Sequence, residues 1–316
     1  MKIIAITPNL KTDYLAETVI DGLMWHGCEI IASDLGNGIN TAYTDDEILV
    51  HSRDADYIFV IWGKVRGNKP PKYYLLDAIK RPEITVYIDG SEWTSSGNPN
   101  PGQTYNAQIL KNHKARKGNP WINNGMLSYC SKYFKRECYP EDLKLGIQPL
   151  LFGANRSFFP KDQSKTIDLF CAFGQSKDGL RKEAISVSQE IQKMGYNVVI
   201  ANNLSEADYR DTLSRSRVTI DAWGGGDCCK RLWENLAAKT CCLMQDYNIV
   251  FPDGFTDGLN ILKYKSEEEL RRKLIWAVTN KSESLEIAKK SYDHLLKYHT
   301  SLKRVEYIFK KLNVSQ

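Results

Sequence analysis

The sequence predicts an α/β protein of parallel β-sheets with helices packed on both faces, and three observations predict it. Short apolar runs alternate with stretches of helical spacing along most of the chain. The runs are solidly apolar instead of alternating with polar residues, as strands covered on both faces require. The alternation also occurs in both halves of the 316 residues, a length that suggests two domains.

Taken in order, residues 2–7 are an apolar run ending in a Pro8-Asn9 turn. Residues 13–25 place Leu15, Val19, Ile20, Leu23 and Met24 at helical spacing, with His26 at the helix C-terminus and Gly27 as the stop. A strand follows at 29–32, a short helix at 48–53, a buried strand at 55–62, a helix at 72–79 and a strand at 84–88 that closes on Asp89-Gly90. Residues 91–125 break the rhythm. They are rich in Ser, Gly, Asn and Pro and hold a basic cluster at 111–117; a loop this long in a compact domain is usually functional or mobile. Regular structure resumes at 126–134, and 150–160 reads as the connection between halves. The second half should place strands at 167–173, 197–201, 218–222 and 241–245, and helices at 180–194, from Ser205, and at 229–238. Ser266 followed by Glu267, Glu268 and Glu269 has the form of a helix start, with carboxylates favoured by the dipole. From there to Leu312 the chain reads as helical.

Composition narrows the class. Hydrophobic residues make up 42%, enough for cores that need no disulfides, which excludes disordered, collagen-like and disulfide-scaffold classes. The formal net charge of +5 is mild and does not by itself call for nucleic acid. The first 155 residues are balanced, and the excess lies mostly between Lys289 and Lys311, where a solvated helix face accounts for it. The 8 cysteines form neither C-x-x-C nor a zinc spacing, and Cys171, Cys241 and Cys242 sit in apolar runs as small core residues. The N-terminus reads as a strand and not a signal peptide. The apolar runs are too short to span a bilayer, so a cytoplasmic location is expected.

Ligands of open parallel sheets bind beyond the carboxyl ends of the strands. That rule selects Pro8-Asn9 and the segments 89–92, 174–181 and 224–234. In the third place, Gly174 and Gly179 bracket a turn whose backbone N–H groups, Ser176 hydroxyl, Lys177 and Arg181 suit a phosphate; the alternative is an ordinary turn with surface charges. In the fourth, Gly224, Gly225 and Gly226 permit close approach of a ligand before a helix carrying Arg231 and Glu234. These two are three apart and share a helix face, so Arg231 suits a diphosphate and Glu234 both hydroxyls of a ribose. The alternative is a weak surface ion pair. Asp89 and Glu92 put two carboxylates at a strand end, suited to deprotonating a hydroxyl, or else serving as a turn residue and a loop charge. No Ser-His-Asp or Cys-His grouping is visible.

The stretches Ser214-Arg215-Ser216-Arg217-Val218-Thr219-Ile220-Asp221 and Arg231-Leu232-Trp233-Glu234-Asn235-Leu236-Ala237-Ala238 resemble the donor half of a GT-B glycosyltransferase, most of all the CgeB/YkvP-like group. Phe251-Pro252-Asp253-Gly254-Phe255 and the segment from Tyr298-His299-Thr300 to Arg304 extend the resemblance over about residues 166–312. It implies two Rossmann-like domains whose parallel sheets face a central cleft: an acceptor-binding domain at 1–155, a donor domain at 156–290, and a C-terminal helix at 291–316 that packs back on the first. The Arg-x-Trp-Glu pattern also resembles phage β-glucosyltransferases acting on hydroxymethylated DNA bases. The roles that resemblance implies are phosphate binding for Arg231, Lys177 and Arg181, ribose binding for Glu234, and catalysis for Asp89. Many retaining GT-B enzymes carry a second Glu eight positions after the first, where this chain has Cys242. The expectation is an inverting, metal-independent, hexosyltransferase-like enzyme. It would move a sugar from a nucleotide-sugar co-substrate, UDP-linked, to a hydroxyl of a glycan, a protein or a modified DNA base. The alternative is a GT-B protein that binds a nucleotide-sugar without transferring it.

Overall fold

The computed structural model describes residues 1–7, 13–36, 38–62, 72–90, 122–161, 163–173, 180–222, 228–246 and 249–314. Its first sheet holds β1 (Lys2–Ile6), β2 (Glu29–Ala32), β3 (Tyr57–Trp62), β4 (Thr85–Asp89), β5 (Lys132–Lys135) and β6 (Gln148–Pro149) in the order β2-β1-β3-β4-β5-β6. The second holds β7 (Ile167–Ala172), β8 (Val198–Ala201), β9 (Ser216–Asp221), β10 (Cys241–Gln245) and β11 (Leu262–Tyr264) in the order β11-β10-β9-β7-β8. Every pairing is parallel. Ile3, Ile4, Phe59, Val60, Val86 and Ile88 are all buried, because helices cover both faces and each strand side needs an apolar residue.

Among the described residues of the first half the helices are α1 (Tyr14–Trp25), α2 (Asp45–His51), α3 (Tyr74–Ile79) and α4 (Asn124–Tyr129). Asp13 caps α1 by accepting the N–H groups of Leu15 and Ala16, both at 3.0 Å, and His26 is its C-cap. Helix α2 starts three residues before the periodicity suggests. Thr44 and Glu47 form a capping box there, a sequence signal that apolar spacing alone overlooks.

The second half carries α5 (Leu180–Lys193), α6 (Glu206–Ser214), α7 (Lys230–Ala237), α8 (Glu267–Thr279), α9 (Lys281–Tyr298) and α10 (Ser301–Lys311). The long helical reading to Leu312 is thus three helices, broken at Asn280 and at His299-Thr300. Strand β9 begins earlier than its apolar run, because Ser216 and Arg217 are polar yet buried. The Arg217 guanidinium donates to the carbonyls of Ala277 (2.7 Å) and Val278 (2.8 Å) at the end of α8, to Ser284 Oγ (2.9 Å) and to Asp168 (3.0 Å). A cation at a helix C-terminus is favoured by the dipole, and full hydrogen bonding makes its burial tolerable. Strand β11 is three residues long and gave no apolar run to read.

Helix α10 lies against α1, far from it in sequence. A Cβ on Gly22 would stand 2.2 Å from the Ser301 carbonyl oxygen, so only glycine permits that approach. Beside it, Ala154 and residues 299–301 exchange main-chain bonds: Ala154 N–H to His299 O and Ser301 N–H to Ala154 O, both 2.9 Å. The outgoing connection and the returning chain therefore run side by side. In the basic C-terminal stretch, Lys289, Lys290, Lys297, Lys310 and Lys311 are exposed, as a solvated face requires, but Arg304 is buried.

Gly22→Ala is expected to destabilise the protein by about 1–3 kcal/mol through overpacking of the α1–α10 contact. The urea midpoint should fall with little change in slope, and an unchanged midpoint would contradict the close approach.

Candidate functional site

Helix α7 has two unlike faces. Leu232, Trp233 and Leu236 turn into the core, while Arg231 and Glu234, three apart, share the other side. Arg231 lies over the Phe173 ring, its guanidinium carbon 4.8 Å from the centroid. Arg181, in the first turn of α5, lies over the same ring at 5.6 Å. Phe173 is itself buried, one residue beyond β7. Arg231 Nη1 is 3.7 Å from Asp221 Oδ1, too far for a hydrogen bond. Both Arg231 Nη1 and Arg181 Nε are buried without a hydrogen-bond partner. An orphaned buried donor costs about 1–3 kcal/mol, and few survive in native structures. Two such donors on neighbouring cations have the chemistry to receive an anion.

The electrostatics agree. Burial, joined by the neighbouring charge of Arg231, pulls Arg181 below the ordinary arginine range. Burial works against the charge of Arg231 too, but the acidic groups of Cys229, Asp221, Tyr209 and Glu234 around it hold it above that range. Burial pushes Glu234 above the ordinary glutamate value, although a hydrogen bond from Tyr209 and the charges of Lys230 and Arg231 oppose it. Tyr209 Oη donates to Glu234 Oε2 at 2.8 Å, and the Tyr209 ring rests near Phe170 at 5.7 Å. Sequence reading missed Tyr209, since an aromatic in a polar helix carries no periodic signal of its own.

In the first half, Asp89 ends β4 and is 2% exposed. Its Oδ2 accepts from Tyr133 Oη at 2.6 Å and Lys135 Nζ at 3.4 Å. Burial and the Asp89 charge push the Tyr133 phenol far above its ordinary value, so it stays a donor. Tyr73 and Tyr87 continue the cluster, their hydroxyls 3.3 Å apart. Lys135, Arg136 and Glu137 are all nearly solvent-excluded, at 0%, 4% and 0% exposure. Arg136 N–H donates to Asp89 O (2.9 Å), its Nε donates to Glu137 (3.1 Å), and its guanidinium lies 4.9 Å over Phe152. One residue on, Cys138 O accepts from Val250 N–H at 2.7 Å, a main-chain link from the first half of the chain to the second. Three adjacent charges look like surface in a sequence, and they are interior here because they continue a parallel strand into that junction.

The signature segments of the resemblance meet around Trp233. Its ring stacks on Phe251 at 5.7 Å, lies 5.2 Å from His299 and 6.3 Å from Phe255, and carries the Arg304 guanidinium at 5.0 Å. Arg304 can only donate, so His299 Nδ1, 3.0 Å from Arg304 Nη2, is the acceptor and Nε2–H donates to Asp253 O at 2.9 Å. Burial first, then the charges of Arg304 and His294, hold the His299 pKa well below its ordinary value, and the ring is neutral. Burial draws Arg304 down to about 10. Arg304 Nε also reaches Phe152 O at 2.9 Å, tying α10 to the connection between the halves.

Of the residues read as functional from the sequence, Arg181, Arg231 and Glu234 come together beside Phe173 and Tyr209, and Asp89 ends a strand of the other sheet. Glu92, Gly174, Ser176, Lys177, Gly224 and Gly225 lie outside the described residues. Lys230, next to Arg231, turns away from the arginine pair. It pairs with Glu17 of α1 at 3.1 Å and lies over the rings of Tyr14 and Phe158, both at 4.2 Å. Among the described residues, no group of His, Cys, Asp and Glu is arranged to hold a metal, and no helix is long and apolar enough to cross a membrane.

Residues 170–310 match the family model described as glycosyl transferase-like. No curated protein sequence matches the chain. Solved structures align over essentially its whole length at low identity. Anabaena HepE in complex with UDP and glucose has a TM-score of 0.58 at 11% identity, with 100% of each chain covered. An alpha-glucosyltransferase in complex with UDP and a 13-mer DNA gives 0.63 at 13%, with 99% of each covered. UDP-GlcNAc 2-epimerase from Neisseria meningitidis bound to UDP-GlcNAc gives 0.51 at 9%, with 100% of each covered. The architecture is the GT-B fold, two Rossmann-like domains with parallel sheets. The glycosyl transferase-like match falls on residues 170–310, in the second half of that architecture.

The neutral His299 makes a pH prediction. Its pKa is depressed in the folded protein, so its contribution to stability is complete above the unfolded value of about 6.5 and is lost as pH falls below it. The thermal midpoint should decline on acidification through that window. His299→Gln, which keeps a donor and an acceptor, should make the decline shallower, and an equal slope in both proteins would contradict the burial of a neutral imidazole.

Proposed function

We propose that this chain transfers a hexose from a UDP-linked donor to an acceptor hydroxyl, and the observation that carries the reading is the pair of orphaned guanidinium N–H groups on Arg181 and Arg231. A diphosphate offers the oxygens that would satisfy both, through charge-assisted bonds. The ribose hydroxyls would fall to Glu234, held by Tyr209. The glycine turns containing Gly174, Ser176, Lys177, Gly224 and Gly225 would add backbone donors. The family match supports glycosyl transfer, and UDP in the complexes of HepE and of the alpha-glucosyltransferase supports the nucleotide. Shared fold alone does not name the reaction, since the epimerase has it too.

In the proposed reaction the bond from the sugar to the diphosphate breaks and UDP departs as its negative charge grows. Arg181 and Arg231 would stabilise that charge, which is why no metal is required. The acceptor oxygen forms the new bond at the sugar carbon and gives its proton to Asp89. Tyr133 and Lys135 hold that carboxylate in place. Inversion is the favoured course. Cys242, where a retaining pair would need its second carboxylate, is buried with its thiol pushed up by burial and with Asn235 Nδ2 3.5 Å from its sulfur. The acceptor is a glycan, a protein or a modified DNA base. A DNA acceptor would bind with steep salt dependence. A second reading, binding of a nucleotide-sugar without transfer, is favoured by one observation: the Asp89 oxygen that would take a proton already accepts from Tyr133 and Lys135.

Calorimetry with UDP should show Arg231→Ala weakening affinity about 10- to 100-fold, the value of a buried hydrogen bond to a charged group. Affinity unchanged in that variant would sink the site. UDP affinity should also fall on acidification, beginning above the ordinary glutamate range because Glu234 must be ionised to accept two hydroxyls, and Glu234→Gln should abolish that dependence. Asp89→Asn should lower turnover by roughly two orders of magnitude or more with UDP affinity intact. Wild-type protein that binds the donor yet neither hydrolyses nor transfers it to any of the three acceptor classes would establish the second reading.

A further inference from the structure

We infer that Phe173 is a positioning residue for the diphosphate: its ring holds the guanidiniums of Arg181 and Arg231 side by side in the donor site. This rests on the donor-site reading above and goes beyond it, because a phenylalanine at a strand end has no hydrogen bond to offer a ligand. The geometry gives it a different use. The two guanidinium carbons lie 5.6 and 4.8 Å from one ring centroid, within the distance at which the negative face of an aromatic ring attracts a cation. Two like charges gathered in a buried place repel each other strongly at low effective dielectric. Without an attractive surface between them, one flexible arginine would swing out to water, and with it the fork geometry that two phosphates need. Asp221 lies 3.7 Å from Arg231, too far to hydrogen bond, and its charge acts on Arg181 as well. Phe173 is the ring that both arginines lie over, and it is fixed by burial in the core of the second sheet. Both orphaned N–H groups belong to the side chains it carries. The ring therefore sets the preference for a diphosphate over a bare nucleoside, while the nucleoside contacts of Glu234 are independent of it.

The test compares UDP, UMP and uridine binding by calorimetry in wild-type protein, Phe173→Leu, Phe173→Tyr and Arg231→Ala. Phe173→Leu is expected to lose about ten-fold in UDP affinity, from two weakened cation–π contacts, less for UMP, and nothing for uridine. Phe173→Tyr, which keeps the ring face, should restore UDP binding. Circular dichroism checks the fold of each variant. Should Phe173→Leu fail to fold, a fluorinated phenylalanine at position 173 keeps the shape while weakening the ring face, and should show the same selective loss. Equal loss of UDP and uridine, or an unchanged UDP affinity in the fluorinated protein, overturns the role of Phe173. If Arg231→Ala still weakens UDP binding, the donor site survives that failure. If wild-type protein binds UDP without regard to Arg231, the donor-site reading itself falls, and the inference with it.

Discussion

The burial of Trp233 is the constraint on which the site depends. One helical turn cannot bury that indole against Phe251, Phe255 and His299 without turning Arg231 and Glu234 to the opposite side. The apolar half of α7 supplies the holding energy, and that energy offsets the cost of the partly buried charges on its polar half. Arg304 caps the same cluster from α10 and bonds Phe152 O, so the packing that orients α7 also joins the last helix to the connection between the halves. Stability and the placement of Arg231 and Glu234 thus share one set of contacts, and a change in the aromatic cluster is felt at both.

The parallel architecture was legible because doubly covered strands must be continuously apolar, and runs such as residues 57–62 cannot be read otherwise. The Arg231/Glu234 pair was legible from helical spacing next to a run of glycines in the sequence. Tyr209 and Phe173 were not, since only folding brings each to its neighbours: Tyr209 to Glu234, Phe173 to Arg181 and Arg231. The segments Phe251–Phe255 and 298–304 could be recognised as a resemblance, yet only their convergence on Trp233 explains why those residue types occur together. Boundaries failed for local reasons. The capping box moved the start of α2, the buried Arg217 lengthened β9, and Thr300 restarts a helix where periodicity ran on.

The interior of the first half departs furthest from a simple hydrophobic rule. Lys135, Arg136 and Glu137 follow Phe134 into the interior, and Asp89, Tyr133 and Tyr87 surround the strand they extend. Burying charges is costly unless each finds a partner. The cost is offset in part locally, by Lys135 and Tyr133 on Asp89, Arg136 on Glu137, and the Phe152 ring beneath Arg136. Such an arrangement contributes little net stability against an apolar core of equal volume. Its position at strand ends, joined to the second half through the bond between Cys138 and Val250, suits a polar floor for chemistry at the junction.

The central claim is that half-buried guanidiniums on one phenylalanine await a diphosphate. A crystal structure of the protein with UDP tests it most directly. The account predicts phosphate oxygens within hydrogen-bond distance of Arg181 Nε and Arg231 Nη1, with the ribose hydroxyls on Glu234. UDP bound elsewhere, or bound here with both nitrogens still unpartnered, would contradict it.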